Sequence, residues 1–135
     1  FRKKIFAEYK SQRKQTPVEL LPQMEMAPTI FESLGCKCFQ MDGYEADDIM
    51  ATLGTWGRER GLNVVHVSLD KDMLQLIDVG VHILDPRTNK IIGEQDVVER
   101  YGVLPSQICD LFALIGDEAD NIPGVKKFGP VTSKY

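Results

Sequence analysis

Three carboxylates, Glu45, Asp47 and Asp48, fall within four residues at the start of a segment with helical periodicity. Like charges this close repel by about 1 to 4 kcal/mol per pair at roughly 4 Å. A helix N-terminus offsets only about 0.3–1 kcal/mol per charge. A divalent cation such as Mg²⁺ or Mn²⁺, which prefers hard oxygen ligands, is one natural partner. The alternative is an acidic first helical turn that faces water.

A second acidic pair, Asp70 and Asp72, follows the largely apolar segment 63–69. The pair cannot begin an EF-hand calcium loop, because Leu74 and Gln75 stand where that loop needs an oxygen ligand and a glycine. Capping of the following helix explains one of the two aspartates more readily than both. This pair therefore also indicates a site for a cation.

A third pair, Asp117 and Asp120, is spaced so that one helical turn could direct both carboxylates at a single ion. The three acidic clusters lie on separate segments of the chain. If they converge, a pair of metal ions about 4 Å apart could activate a water and clamp both oxygens of a phosphodiester during in-line displacement.

The elements around these clusters predict an α/β fold. Residues 37–41 indicate a short strand, the helix from Glu45 ends near Gly61, and residues 63–69 indicate a buried strand. Strand, helix and strand together make a β-α-β unit with a parallel sheet. Because such sheets place their chemistry at the carboxyl ends of the strands, we expect at least the first two clusters to meet there.

The remaining segments complete the predicted fold. A helix is expected from Thr16 and Pro17 to about Leu34, with a kink at Pro22 or Pro28. Strand 81–84 and residues 91–92 could form a hairpin, and 94–101 and 105–115 are predicted helices. The predicted apolar face of the first helix consists of Leu20, Met24, Ala27, Ile30, Phe31 and Leu34.

Charge is distributed unevenly along the 135 residues, whose net charge is −4. Residues 1–14 carry six basic residues against Glu8 alone and include Phe1, Phe6 and Tyr9. Interleaved cations and aromatics suit phosphates together with base or sugar stacking, although a solvated helix face is an equal alternative. A basic arm on an acidic body fits phosphates near the arm and metal ions in the body.

Cysteine and histidine usage points to no further metal site. The cysteines Cys36, Cys38 and Cys109 have no disulfide spacing and no histidine nearby, so we expect reduced thiols in an intracellular protein. His66 and His82 are read as structural. No apolar run reaches membrane-spanning length. The sequence reads as a piece of a longer chain.

Three blocks of this sequence resemble the signature motifs of the 5′-nuclease family, which comprises the 5′–3′ exonuclease domain of bacterial DNA polymerase I, phage 5′-nucleases and flap endonucleases. The blocks are residues 43–48, 70–72 and 116–125, and they run in order across nearly the whole chain. The resemblance implies a PIN-like parallel sheet flanked by helices (1–115) and the start of a helix-hairpin-helix (helix-three-turn-helix) DNA-binding region (116–135).

The family resemblance also implies roles for residues. Two Mg²⁺ or Mn²⁺ ions would be held chiefly by Glu45, Asp47 and Asp48 on one side and by Asp72, Asp117 and Asp120 on the other, with Asp70 near both. Residues 1–14 resemble part of the arch region. The resemblance implies catalytic roles for Arg2 and Lys10 and DNA-binding roles for Arg2, Tyr9, Lys10, Arg13, Lys126, Lys127 and Thr132.

The implied activity is metal-dependent 5′–3′ exonuclease or 5′ flap endonuclease cleavage of DNA in replication and repair. The implied partner is DNA with a free 5′ end or a 5′ flap, and no membrane partner is implied. The implied location is a bacterial cytoplasm (nucleoid) or an organelle, and the parent chain could carry a polymerase domain. K⁺ at the hairpin is also implied. The sequence departs from the family pattern at both ends. It lacks an N-terminal strand with its metal-binding aspartate and a second aspartate before Phe1, and its C-terminal module is truncated. In the hairpin, Lys127, Val131 and Ser133 replace a glycine, a lysine and an alanine.

Three alternatives remain open. A non-catalytic DNA-binding module of the same fold would bind branched DNA without cutting it, although seven acidic positions serve a pure binder poorly. A PIN-type ribonuclease would share the metal site, but the hairpin block favours duplex DNA. A phosphotransfer domain could use Asp70 as its nucleophile but would leave Asp117 and Asp120 without a role.

Overall fold

The computed structural model describes residues 1–126 and 128. Helices and strands alternate in the second half of the chain, whereas the first 45 residues contain helices and turns. The helices are α1 (Arg2–Ile5), α2 (Leu21–Ser33), α3 (Ala46–Glu59), α4 (Glu94–Tyr101) and α5 (Ile108–Ile115). The strands are β1 (Val64–Val67), β2 (Val81–Asp85) and β3 (Lys90–Ile92), and 3₁₀ helices cover Val18–Leu20, Lys71–Leu76 and Pro105–Gln107.

The three strands form one mixed sheet in the order β1-β2-β3. Strands β1 and β2 are parallel, with Val65 opposite His82, and the 3₁₀ helix Lys71–Leu76 lies in their connection. Strands β2 and β3 form an antiparallel pair in which Leu84 faces Ile91, so the predicted hairpin is confirmed. The sheet is therefore mixed, and the parallel arrangement that the family resemblance implies holds for β1 and β2 alone among the described strands, because the turn after Asp85 reverses the chain.

The hydrophobic core lies under the sheet and the 3₁₀ helix that follows β1. Its side chains come from that 3₁₀ helix, from β2, and from α4 and α5, whose apolar residues recur at helical spacing. The core residues are Met73, Leu74, Ile77, Ile83, Val97, Ile108 and Leu111. This core fixes the two segments that carry Asp70, Asp72 and Asp117.

The predicted strand at residues 37–41 is not present, and these residues are exposed coil. A strand needs a neighbour for its backbone N–H and C=O groups. Within the described residues no strand pairs with this segment, so the predicted β-α-β unit around α3 does not form. The parallel pair is instead β1 with β2. Cys36 and Cys38 are exposed free thiols in this coil.

Helix α2 begins later than predicted and buries none of its residues. A 3₁₀ turn at Val18–Leu20 precedes it, so Thr16 is not its N-cap. Pro22 lies in the first turn, where its missing N–H is not needed, and Pro28 lies inside the helix without ending it. The predicted apolar face is largely exposed, because α2 contacts chiefly the 3₁₀ turn before it.

Helix α3 lies at the predicted position and packs against β1 through its glycines. Leu53 and Trp56 are exposed, and the residues buried against β1 are Gly54 and Gly57. The close approach depends on the missing side chains, since a Cβ at Gly54 would lie 2.5 Å from Nε2 of His66. In the described part of the chain, no helix is both long enough and apolar enough to cross a bilayer.

Candidate active site

A cavity of about 630 Å³ brings the three acidic clusters together at one end of the sheet. Six of the seven predicted carboxylates line it, alongside four cationic side chains and Tyr9. The carboxylates are Glu45, Asp47, Asp70, Asp72, Asp117 and Asp120, and the cations are Arg2, Lys10, Arg13 and Lys71. The expected convergence of the clusters is therefore present in the fold.

Asp72, Asp117 and Asp120 form the tightest acidic group. One ligand oxygen from each lies within 4.8 Å of the other two, which is close enough for all three to hold one ion. Asp117 and Asp120 are 7% and 8% exposed. Oδ1 of Asp72 is buried without a hydrogen-bond partner among the described residues. Because an unpaired buried carboxylate oxygen is costly, this donor set fits a hard divalent cation.

A tight loop directs Asp117 and Asp120 into the cavity. The N–H of Asp117 donates to the carbonyl of Ile122 at 2.9 Å, and the N–H of Ile122 donates back at 2.8 Å. The loop follows Gly116, whose φ of +81° is one that side chains rarely allow. This backbone pairing closes the loop, so one turn carries both carboxylates, as their spacing predicts, although the turn is not part of a helix.

The segment after β1 supplies the next two carboxylates. Asp70 caps the 3₁₀ helix, and its Oδ1 accepts the N–H of Asp72 at 2.9 Å. Burial raises the pKa of Asp72, and repulsion from Asp70 raises it further. Burial and then Asp70 likewise raise the pKa of Asp47. These raised values indicate carboxylates that lack sufficient positive charge around them.

Asp48 is the one predicted carboxylate that does not line this cavity. Both of its oxygens accept hydrogen bonds from the Arg2 guanidinium at 2.8 Å, and Oδ2 also accepts the N–H of Glu45 at 2.9 Å. The Arg2 hydrogen bonds, followed by that backbone N–H, lower the pKa of Asp48 to about 2. Asp48 therefore joins the arm to the start of α3.

The basic arm lies against the acidic clusters, and its cations pair with their carboxylates. Lys10 Nζ donates to Glu45 at 2.6 Å and lies 3.6 Å from Asp120, while Arg13 contacts Asp120 at 2.5 Å. Burial is the largest single influence on Lys10 and opposes its charge, but the hydrogen bonds to Glu45 and Tyr9 and the negative charges of Asp120 and Glu45 together outweigh it and raise the pKa of Lys10. Tyr9 is buried, and its hydroxyl donates to Glu45 at 3.3 Å.

Lys71 is a site residue that the sequence analysis did not select. Its Nζ lies 3.0 Å from Oδ1 of Asp117 and 4.6 Å from the centre of the Phe112 ring. In the sequence, the one feature that pointed to Lys71 was its position between Asp70 and Asp72. Of the predicted DNA-binding residues, Arg2, Tyr9, Lys10 and Arg13 line this cavity and Lys126 does not, whereas Lys127 and Thr132 fall outside the described residues. Within the predicted helix-hairpin-helix region, residues 127 and 129–135 fall outside the described residues.

The family described as "5′-3′ exonuclease, N-terminal resolvase-like domain" matches residues 1–102. A 5′-3′ exonuclease of Buchnera aphidicola subsp. Schizaphis graminum is 42% identical over the whole chain, which spans 47% of that protein. A DNA polymerase I of Rhizobium leguminosarum is 40% identical over 98% of the chain, which spans 13% of that protein. The chain thus spans less than half the length of these relatives.

Solved structures of bacteriophage T5 proteins share the fold. A T5 5′-exonuclease with bound divalent zinc ions superimposes with a TM-score of 0.82 at 28% identity, covering 99% of this chain and 54% of that one. A T5 flap endonuclease in a pseudo-enzyme–product complex with DNA and metal ions superimposes with a TM-score of 0.79 at 26% identity, covering 98% and 53%.

Proposed function

The chain belongs to the 5′-nuclease family, and we propose that it forms the metal-binding catalytic part of a 5′–3′ exonuclease or 5′ flap endonuclease. The substrate is DNA with a free 5′ end, in replication and repair. The observation that carries the proposal is the unpaired buried oxygen of Asp72 within the triad it forms with Asp117 and Asp120.

We assign Mg²⁺ or Mn²⁺ ions to two positions in the cavity. Asp72, Asp117 and Asp120 would hold one, Glu45 and Asp47 would contribute to the other, and Asp70 would serve both. Ions bound there would supply an activated water and stabilise the charge that develops on the cleaved phosphodiester. Asp48 acts indirectly, since it holds Arg2 and caps α3.

The cations of the arm bind the phosphate in this proposal. Lys10 and Arg2 contact the scissile phosphate. Arg13 contacts the DNA strand that passes through the arch, and Tyr9 supplies a stacking surface. In the structure these cations pair with Glu45, Asp48 and Asp120. Phosphate oxygens compete with those carboxylates for the same donors, because Arg and Lys side chains form strong charge-assisted hydrogen bonds with either group.

The remaining roles rest on the predicted motifs alone. We propose that residues 1–115 form the catalytic domain, with 1–14 in the arch, and that residues 116–135 begin a helix-hairpin-helix region. Lys126, Lys127 and Thr132 would bind the DNA duplex there, with K⁺ at the hairpin. A polymerase domain in the longer protein is proposed from the name of the Rhizobium relative.

The test is cleavage of a 5′-labelled flap by the longer protein that contains this sequence, with Mg²⁺ or Mn²⁺. Asp70→Asn should abolish cleavage, and a chelator should do the same. Asp110→Asn, which alters an exposed aspartate on α5, is the matched control and should cleave normally. If the folded protein binds the flap but does not cut it with either metal, the nuclease proposal is wrong and the chain is a DNA-binding module.

A further inference from the structure

Two turns that are more than 100 residues apart in the sequence lie against one another at the rim of the cavity. Residues 8–13 form one turn and residues 117–122 form the other. The backbone N–H of Lys10 donates to the carbonyl of Asp120 at 3.0 Å, and the Gln12 side chain donates to the carbonyl of Glu118. The two turns thus carry opposite charges into the same cavity and are joined through their backbones.

Asn121 adds two hydrogen bonds between these turns. Its Nδ2 donates to the carbonyl of Glu8 at 2.9 Å and to Oγ of Ser11 at 3.2 Å. A side-chain amide has two N–H donors, so both are used. The acceptors lie on either side of Lys10, and the amide therefore holds the whole turn rather than one residue.

The backbone at position 121 restricts which side chain can make these bonds. Asn121 has a φ of +58°, in the left-handed region that glycine, asparagine and aspartate tolerate best. Glycine satisfies the backbone but has no donor, and aspartate in its ionised form has only acceptors. Asparagine meets both requirements at once.

We infer that Asn121 is a positioning residue that fastens the basic arm to the metal-binding turn. This inference rests on the proposed function. Lys10 also has a positive φ, of +56°, a conformation that needs support from its surroundings. The bonds from Asn121 to Glu8 and Ser11 supply that support, and they keep Lys10 and Arg13 directed at the carboxylates of the cavity.

The test compares Asn121→Gly with Asn89→Gly. Asn89 also has a positive φ, of +55°, but it lies in the exposed turn between β2 and β3. Both substitutions remove an amide at a left-handed position without adding backbone strain, so Asn89→Gly is a matched control. Ser11→Ala removes only the acceptor of the longer bond, so its effect on the turn should be smaller than that of Asn121→Gly.

The first readout is amide hydrogen exchange of the metal-free chain. Asn121→Gly should speed exchange of residues 9–13 roughly tenfold, as expected for the loss of two hydrogen bonds. Exchange in β2 should stay unchanged, which shows that the core is folded. Asn89→Gly should leave residues 9–13 as in the wild type. Equal exchange of residues 9–13 in all variants would overturn the inference.

The second readout is flap cleavage by the longer protein. Asn121→Gly should raise KM at least as much as it lowers kcat, because the phosphate-binding cations are displaced while the carboxylates remain. An unchanged KM together with slower chemistry would overturn the positioning role. If the wild type does not cleave DNA at all, the proposed function fails, and the exchange experiment still decides whether Asn121 fastens the arm.

Discussion

The ammonium of Lys71 lies 3.0 Å from the buried carboxylate of Asp117, inside the cavity where the three acidic clusters meet. The same ammonium rests 4.6 Å from the centre of the Phe112 ring. Lys71 therefore supplies positive charge to a group of carboxylates that we assign to a divalent ion. Its position sets up a competition, since the ion and the ammonium both interact with Asp117.

Lys71→Met should tighten Mn²⁺ binding about thirtyfold or more. Removing one unit charge about 4 Å from a divalent ion relieves a repulsion of about 2 to 8 kcal/mol, depending on the local dielectric. Titration of the chain with Mn²⁺, followed by electron paramagnetic resonance, measures the change. Lys90→Met, which removes a surface partner of Asp96, is the control and should leave affinity unchanged. Weaker binding by Lys71→Met would show that Lys71 instead supports the ligands.

Arg2→Ala should destabilise the fold by about 1 kcal/mol at pH 5, since it removes a bidentate, partly exposed hydrogen-bonded pair with Asp48. The pKa of Asp48 is lowered to about 2 in the folded chain, so the stabilisation is present above the unfolded value near 3.9 and is lost as pH falls toward 2. Urea unfolding at several pH values should show the two proteins converging. Exposed Lys3→Ala is the control, and a difference that persists at pH 2 would contradict this account.

Gly54→Ala should destabilise the chain by about 1–3 kcal/mol, as overpacking does. The new Cβ would lie 2.5 Å from Nε2 of His66, which outweighs the gain in helix propensity of about 1 kcal/mol. Gly54→Ala combined with His66→Val should recover most of the loss, because the ring is gone. Urea unfolding of the four members of this cycle measures the coupling, and strictly additive effects would rule out the contact.

Stability should fall as pH drops below about 6.5, because burial lowers the pKa of His66. The unfolded chain takes up its proton first, near pH 6.5, so unfolding becomes progressively easier until the folded imidazole also protonates. His66→Gln should flatten this part of the pH profile of the unfolding free energy. His82→Gln keeps His66 and should retain the slope. An equal slope in all three proteins would assign the effect to other groups.

Local patterns were sufficient to predict much of the fold and the gathering of the carboxylates. Helix α3, strands β1 and β2, the hairpin and helix α4 have the expected locations, because period, caps and glycine positions are local signals. The acidic clusters meet because Asp70 follows a parallel strand and the Gly116 turn closes beside it.

The errors have one physical origin, since they concern partners that a local pattern does not specify. Residues 37–41 resemble a strand but have no neighbouring strand in the described chain. The apolar face of α2 was expected to be buried, yet no part of the described core covers it. Likewise, Lys71 and Asn121 acquire roles only through contacts made across the fold, with Asp117 in one case and with Ser11 in the other.

The central claim is that Asp72, Asp117 and Asp120 hold a divalent ion, and Mn²⁺ titration of the wild-type chain and of Asp117→Asn tests it most directly. The wild type should show a saturable Mn²⁺ site, which Asp117→Asn should lose or weaken at least tenfold, while the control Asp110→Asn should bind normally. Circular dichroism should first show that all three proteins are folded. Equal Mn²⁺ binding by Asp117→Asn and the wild type would contradict the assignment of this site.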